Sequence, residues 1–61
     1  MPAGNQRYIL GERFWKCRSG LKKVDAEKVA GKERKAGHKA RLEKIFKGNY
    51  TVWTTRRWAF L

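Results

Sequence analysis

VDAEKVAGKERKAGHKARLEKIFKG, residues 24–48, is the stretch on which the fold depends, and its pattern predicts one long helix. Asp25 suits the N-cap position, and Val24 and Val29 are spaced to close a hydrophobic staple around it. Gly48 supplies a stop at the other end. At about 1.5 Å per residue, such a helix would be roughly 35 Å long.

A ridge of lysines runs along one face of this predicted helix. The four residues, which fall within about 60° of one another at helical spacing, are Lys28, Lys32, Lys35 and Lys39. Like charges three or four residues apart repel, so the ridge destabilises a free helix. A polyanion bound along the ridge would replace this repulsion with attraction. The ridge therefore predicts phosphate binding. Arg34 and Arg41 form a second basic flank, which favours insertion between two nucleic-acid backbones.

The second half of the predicted helix carries its large apolar side chains, Leu42, Ile45 and Phe46. We expect this face to be buried, and Phe46→Ala then to destabilise the protein by about 3–5 kcal/mol. Gly31 and Gly37 lie inside the same stretch, and each lowers helix stability by about 1 kcal/mol relative to alanine. Two explanations fit the glycines: another backbone approaches closely, or a partner stabilises the helix.

Residues 1–23 hold an aromatic cluster and a basic linker, for which two structures remain open. A two-residue loop at Gly11 and Glu12 would fold the flanking residues into a β-hairpin. Alternatively, Glu12 to Ser19 form a short helix. Glu12 near its start and Arg18 near its end suit the helix dipole, which favours the helix.

Residues 49–61 form an extended, strand-like tail. Residues 50–55 alternate in the manner of a strand and are rich in strand-forming types. Because the rest of the chain offers at most a hairpin, the strand is expected to pair with another protein. Arg56, Arg57 and Trp58 follow, and arginine beside tryptophan can combine phosphate contacts with base stacking. The alternative is that the tryptophan packs against protein.

The predicted fold class is therefore mainly α: a single small unit with segments 1–23, 24–48 and 49–61 and little independent core. A chain of 61 residues buries only about 60% of its unfolded surface. Cys17 and His38 are the only residues of their types, so neither an intrachain disulfide nor a four-ligand zinc site can compensate. A net charge of +11 further opposes compaction. We expect the chain to fold poorly without its partner.

Several functional classes are disfavoured by the residues present. The acidic residues do not form a carboxylate pair, and no combination of serine, cysteine and histidine completes a catalytic triad. There is no glycine-rich phosphate loop and no cluster of metal ligands. The sequence therefore predicts a protein that is not an enzyme and has no cofactor, metal, small-molecule substrate or transmembrane segment.

The first functional hypothesis is a structural protein of a ribosome, cytosolic or organellar, whose partners are rRNA and neighbouring proteins. Its charge, size and 13% aromatic content are typical of small ribosomal proteins. A single cysteine suits an intracellular, reducing location, the cytoplasm or the mitochondrial matrix. The predicted RNA-binding residues are Lys28, Lys32, Arg34, Lys35, Lys39, Arg41, Arg56, Arg57 and Trp58.

Two other hypotheses belong to different classes. One is a small accessory subunit of a mitochondrial membrane energy-transducing complex, docked on acidic subunits or anionic lipid through the basic and aromatic C-terminus. The other is a membrane-active or calmodulin-binding peptide centred on Lys39–Trp53. Residues 25–41 lack the broad apolar face that such peptides need, which counts against it.

Overall fold

Four antiparallel strands and one helix form the fold of the computed structural model, which describes residues 6–57 and residue 59. The elements, in chain order, are β1 (Gln6–Ile9), β2 (Glu12–Lys22), α1 (Lys23–Lys35), β3 (Ala40–Phe46) and β4 (Asn49–Thr54). The strand order in the sheet is β1-β2-β4-β3, and α1 packs across β2, β4 and β3. The mainly α fold class predicted from the sequence is therefore wrong, because the chain is mainly antiparallel β.

The predicted long helix is wrong in its second half because the chain leaves the helix at a glycine. Gly37 adopts a φ of 93°, in the left-handed region that glycine occupies without a steric penalty. The Gly37 N–H donates to the carbonyl of Arg34 and the His38 N–H donates to the carbonyl of Glu33, both at 3.0 Å. This pair of bonds is a Schellman motif, which satisfies the last carbonyls of α1. The interior glycine is thus a helix stop rather than a site of close approach.

The start of α1 also differs from the prediction. The helix begins at Lys23 with Lys22 as its N-cap, so Asp25 lies in the first turn rather than at the cap. A carboxylate there still favours the positive end of the helix dipole. Val24 is exposed and does not close a hydrophobic staple on a buried neighbour.

The apolar face expected from Leu42, Ile45 and Phe46 does not exist, because these residues lie on β3 and not on a helix. Leu42 packs against the core beneath α1. Ile45 lies at an irregularity in the register and is 50% exposed, and Phe46 is 68% exposed. The predicted cost of 3–5 kcal/mol for Phe46→Ala therefore does not apply.

The N-terminal residues form a β-hairpin, so the favoured short helix is wrong. The alternative hairpin is present with its loop one residue earlier than expected, since Ile9 pairs with Glu12 across Leu10 and Gly11. Both loop residues have positive φ, 52° and 80°, which is the geometry of a type I′ turn. Leu10 is 92% exposed at the tip of this turn.

The strand predicted from the alternation of residues 50–55 is present as β4, but it is not a tail. β4 lies inside the sheet and pairs with β2 on one side and β3 on the other. The expected pairing with another protein is therefore wrong. Residues 51–54 are buried on both faces of the sheet, which is why this strand reads as the most β-prone part of the chain.

The core beneath α1 is built from small side chains. Ala26 and Ala30, one turn apart, face the sheet and are fully buried against Val52 and Ala40. Alanine at these positions lets the helix axis approach the strands closely. The residues that complete this core at its margins are Cys17, Leu21, Val29, Leu42 and Tyr50.

The sheet is curled, and we call the face that lies opposite α1 the concave face. Arg7 on edge strand β1 forms a 3.0 Å ion pair with Glu43 on edge strand β3, although two strands lie between them. Its guanidinium lies 4.3 Å from the centroid of the Trp53 ring, and the Trp53 indole N–H donates to Glu43 at 3.0 Å. The indole hydrogen bond, followed by that of Arg7, holds the pKa of Glu43 below its usual range. Trp53 and Phe14 are only 3% exposed beneath this closure.

The expectation of little independent core is wrong, because buried side chains fill both the space beneath α1 and the closed part of the concave face. We therefore expect the isolated protein to fold without a partner and to unfold cooperatively. Val52→Ala should reduce the free energy of unfolding by about 2–3 kcal/mol, since it removes two methyl groups from a fully buried site. Phe46→Ala should change it by less than about 0.5 kcal/mol, because that ring is exposed. Urea unfolding followed by tryptophan fluorescence measures both values. Equal losses in the two variants would contradict the observed division between core and surface.

Candidate functional site

Three of the predicted RNA-binding lysines share the outward face of α1. Lys28, Lys32 and Lys35 are exposed and lie on the side of the helix opposite its buried alanines. We call these three residues the basic face. They border a shallow groove of about 330 Å3 whose fourth lining residue is Gly31. The face extends along about 10 Å of helix axis.

Lys39, the fourth lysine of the predicted ridge, is not part of this face. It follows the helix and lies immediately before β3, where its Nζ is 3.0 Å from the Glu12 carboxylate. Its backbone N–H donates to the hydroxyl of Thr55. The ion pair is exposed and contributes little stability, but it compensates the charge of the lysine. The ridge of four lysines is therefore reduced to three.

The second basic flank predicted from Arg34 and Arg41 is also absent, because the two residues are on different elements. Arg34 donates from its guanidinium to the carbonyl oxygen of Ala40 at 3.0 Å, which ties the end of α1 to the start of β3. Arg41 lies on β3 opposite Trp53, on the concave face. The two arginines do not line a common surface with the basic face of α1.

Arg56 forms an ion pair with Glu33 that the sequence did not predict. Its Nε lies 2.9 and 3.2 Å from the two carboxylate oxygens of Glu33. Glu33 is only 8% exposed and also accepts a 3.1 Å hydrogen bond from the hydroxyl of Thr54. The Cys17 thiol lies 3.8 Å from the same carboxylate. We call these four side chains the polar cluster.

The protonation states in the polar cluster follow from these contacts. The hydrogen bond from Arg56 lowers the pKa of Glu33 in spite of its burial, and the same carboxylate raises the pKa of Arg56. Burial, followed by the charge of Glu33, raises the pKa of the Cys17 thiol. The protonated form of the thiol is therefore favoured near neutral pH, and the ion pair between Glu33 and Arg56 holds the cluster together. The sequence signal for Glu33 was its position three residues after Ala30, on the buried face of α1.

Of the two remaining predicted residues, the structure describes Arg57. Arg57 is exposed and follows β4. Trp58, for which stacking on a base was predicted, lies outside the described residues.

The charge balance of the fold is strongly uneven. Within residues 6–57, three of the five acidic residues, Glu12, Glu33 and Glu43, are ion-paired. The chain has sixteen lysines and arginines, all in this range, and those three pairs engage three of them, so thirteen have no carboxylate within 4.0 Å in this part of the protein. The cations of the basic face belong to this unpaired group.

Comparison of the chain with family models, with characterised proteins and with solved structures finds no match. Within the described residues, no three potential metal-ligating side chains are grouped together. The single helix found there has thirteen residues, and no helix among those residues is long and apolar enough to cross a membrane.

The ion pair at Glu33 predicts a specific dependence of stability on pH. Because the pKa of Glu33 is lower in the folded protein than the ordinary 4.5, its stabilising effect is complete above pH 4.5 and is lost as the pH falls through the lowered value. Glu33→Gln removes the charge but can still accept from Thr54. We expect this variant to lose about 1–2 kcal/mol at pH 7, a range reduced because Arg56 is 41% exposed.

The test is urea unfolding of wild type and variant between pH 3 and pH 7. The stability difference between them should shrink below pH 4.5. Glu27→Gln is the matched control, because Glu27 is on the same helix, is exposed and has no ion pair among the described residues. A difference that stays constant with pH would contradict the assigned ion pair.

Proposed function

We propose that the protein is a non-enzymatic RNA-binding protein, in which the basic face of α1 contacts the phosphate backbone. The observation that supports this proposal is the exposure of Lys28, Lys32 and Lys35 on one side of a helix with no carboxylate partner among the described residues. Since α1 is packed on three strands, the helix backbone that carries these lysines is held in place. The backbone positions of the three lysines are therefore fixed before binding, and only their side chains must be ordered when a polyanion binds.

The expected mode of binding is electrostatic and independent of base sequence. About 10 Å of helix is long enough for the three lysine side chains to reach neighbouring phosphates of an RNA backbone. Phosphate contacts fix position and orientation, but they carry no base information. Selectivity would then come from the shape of a structured RNA, whose backbones approach one another closely.

A ribosome is the proposed setting, since rRNA provides dense phosphate at fixed positions and neighbouring proteins can cover the remaining surface. In this proposal the protein co-sediments with ribosomal particles, remains bound after detergent and is released at high salt. Co-migration with a detergent-solubilised membrane complex instead would contradict the ribosomal setting and favour an accessory subunit of that complex.

The basic face should act as a unit in the salt dependence of binding. Replacing Lys28, Lys32 and Lys35 with glutamine removes three charges and preserves helix propensity. If each lysine neutralises one phosphate, the slope of log affinity against log salt should flatten by about 2 to 3 units. Fluorescence anisotropy with a labelled structured RNA at several salt concentrations measures this slope, and circular dichroism checks the fold.

Two further variants serve as controls for this measurement. The triple lysine-to-arginine variant preserves the charge at the same positions, so its slope should match that of wild type. Lys39→Gln should change the slope by less than about half a unit, because Lys39 is paired with Glu12. An unchanged slope in the triple glutamine variant would mean that the basic face does not contact RNA phosphates and is only solvated.

A further inference from the structure

One end of the concave face is open and carries an exposed aromatic ring. Leu21 on β2 pairs with Tyr50 on β4, and both pack beneath α1. Because side chains alternate along a strand, the next pair, Lys22 and Asn49, points to the concave face. Phe46 on β3 pairs with Asn49 and shares that side. These three residues form a row across three strands, which we call the open row.

The open row is not covered by the edge strand that closes the rest of the concave face. Among the described residues, β1 pairs only with Glu12–Trp15 of β2, at the other end of the sheet. Trp53, nearer that end, is buried under Arg7 and cannot stack on a ligand. Phe46, by contrast, is 68% exposed, and burying its ring against an aromatic ligand would remove apolar surface from water.

The charges around the open row favour an anionic ligand. Lys22 is exposed within the row, and Lys47 is exposed in the turn next to Phe46. Two acidic residues, Glu43 and Glu12, lie on the same face. The Glu43 carboxylate is bonded to Arg7 and to the indole of Trp53, and the Glu12 carboxylate is paired with Lys39. An incoming phosphate therefore meets lysines without a competing free carboxylate from the described part of this face.

The order of side chains in the row fits a nucleotide. At about 4.8 Å between strands, Phe46 and Lys22 are roughly 10 Å apart, with the amide of Asn49 between them. A base has both a π-face for the ring and polar edges for an amide, and its flanking phosphates can reach the lysines. A lipid surface would use the ring and the lysines but would bury the Asn49 amide without a partner, which is unfavourable.

We propose that the open row binds an unpaired nucleotide of RNA, with its base stacked on Phe46 and its flanking phosphates at Lys22 and Lys47. This inference rests on the proposed RNA-binding function and adds the class of RNA. The target has an unpaired base, in a loop, bulge or single strand. Stacking accepts any base, so the site selects unpaired RNA without reading its sequence.

The test compares an eight-nucleotide oligouridylate with a fully paired RNA duplex as probes in anisotropy titrations. Phe46→Ala should weaken oligouridylate binding by about 5- to 100-fold and change duplex binding by less than about twofold. Phe46→Trp should retain oligouridylate binding, whereas Phe46→Leu, apolar but not aromatic, should not. Leu10→Ala is the matched control, an exposed apolar residue at the opposite end of the sheet.

The outcomes separate this inference from the proposal on which it rests. If wild type binds both probes with a steep salt dependence and Phe46→Ala binds oligouridylate equally well, the stacking site is refuted and the RNA-binding function stands. If wild type binds neither probe, both proposals fail. If Phe46→Ala loses binding only to vesicles of phosphatidylserine and phosphatidylcholine, the open row contacts lipid and the inference is refuted. Unchanged thermal melting of Phe46→Ala confirms that the fold is intact in each case.

Discussion

The position of α1 on the sheet depends on the hydrogen bonds made by the Glu33 carboxylate. This carboxylate lies on the buried side of α1 and binds both Thr54, the last residue of β4, and Arg56 beyond it. Because the core between helix and sheet consists mostly of alanines and one valine, apolar burial alone gives little directional information. The charged hydrogen bonds supply that direction, so the outward orientation of the basic face follows from an inward-facing glutamate.

The sequence patterns correctly predicted a strand and the first half of a helix, but the predicted helix was extended too far along the chain. The alternation at residues 50–55 identified β4, and the acidic first turn and lysine spacing identified the first half of α1. The error came after Gly37, because Leu42, Ile45 and Phe46 fit a helical period while also fitting a strand with one register irregularity. Gly37 was recognised as unfavourable in a helix, but its positive φ is set by the Schellman motif and is visible only in three dimensions.

The candidate site was predictable to the extent that it depends on local spacing. Lys28, Lys32 and Lys35 share a face because they lie on one helix. The ion pairs of Lys39 and Arg56 could not be predicted, because their acidic partners are 27 and 23 residues away in the chain. The periodicity of a single sequence does not reveal such long-range ion pairs. These pairs determine which cations have no carboxylate partner and remain available to a ligand.

The position of β4 has a consequence for how the protein assembles. β4 is the last strand among the described residues, and it is inserted between β2 and β3, which do not pair with each other. While a nascent chain lacks β4, the β1–β2 hairpin and α1 can form from local contacts, but β3 has no partner and the alanine face of the helix has no Val52 beneath it. β4 then pairs locally with β3 across a two-residue turn, but its pairing with β2 joins residues 27 to 39 apart in the chain. Because non-local pairing slows folding, we expect the β2–β4 pairing to be the slow step.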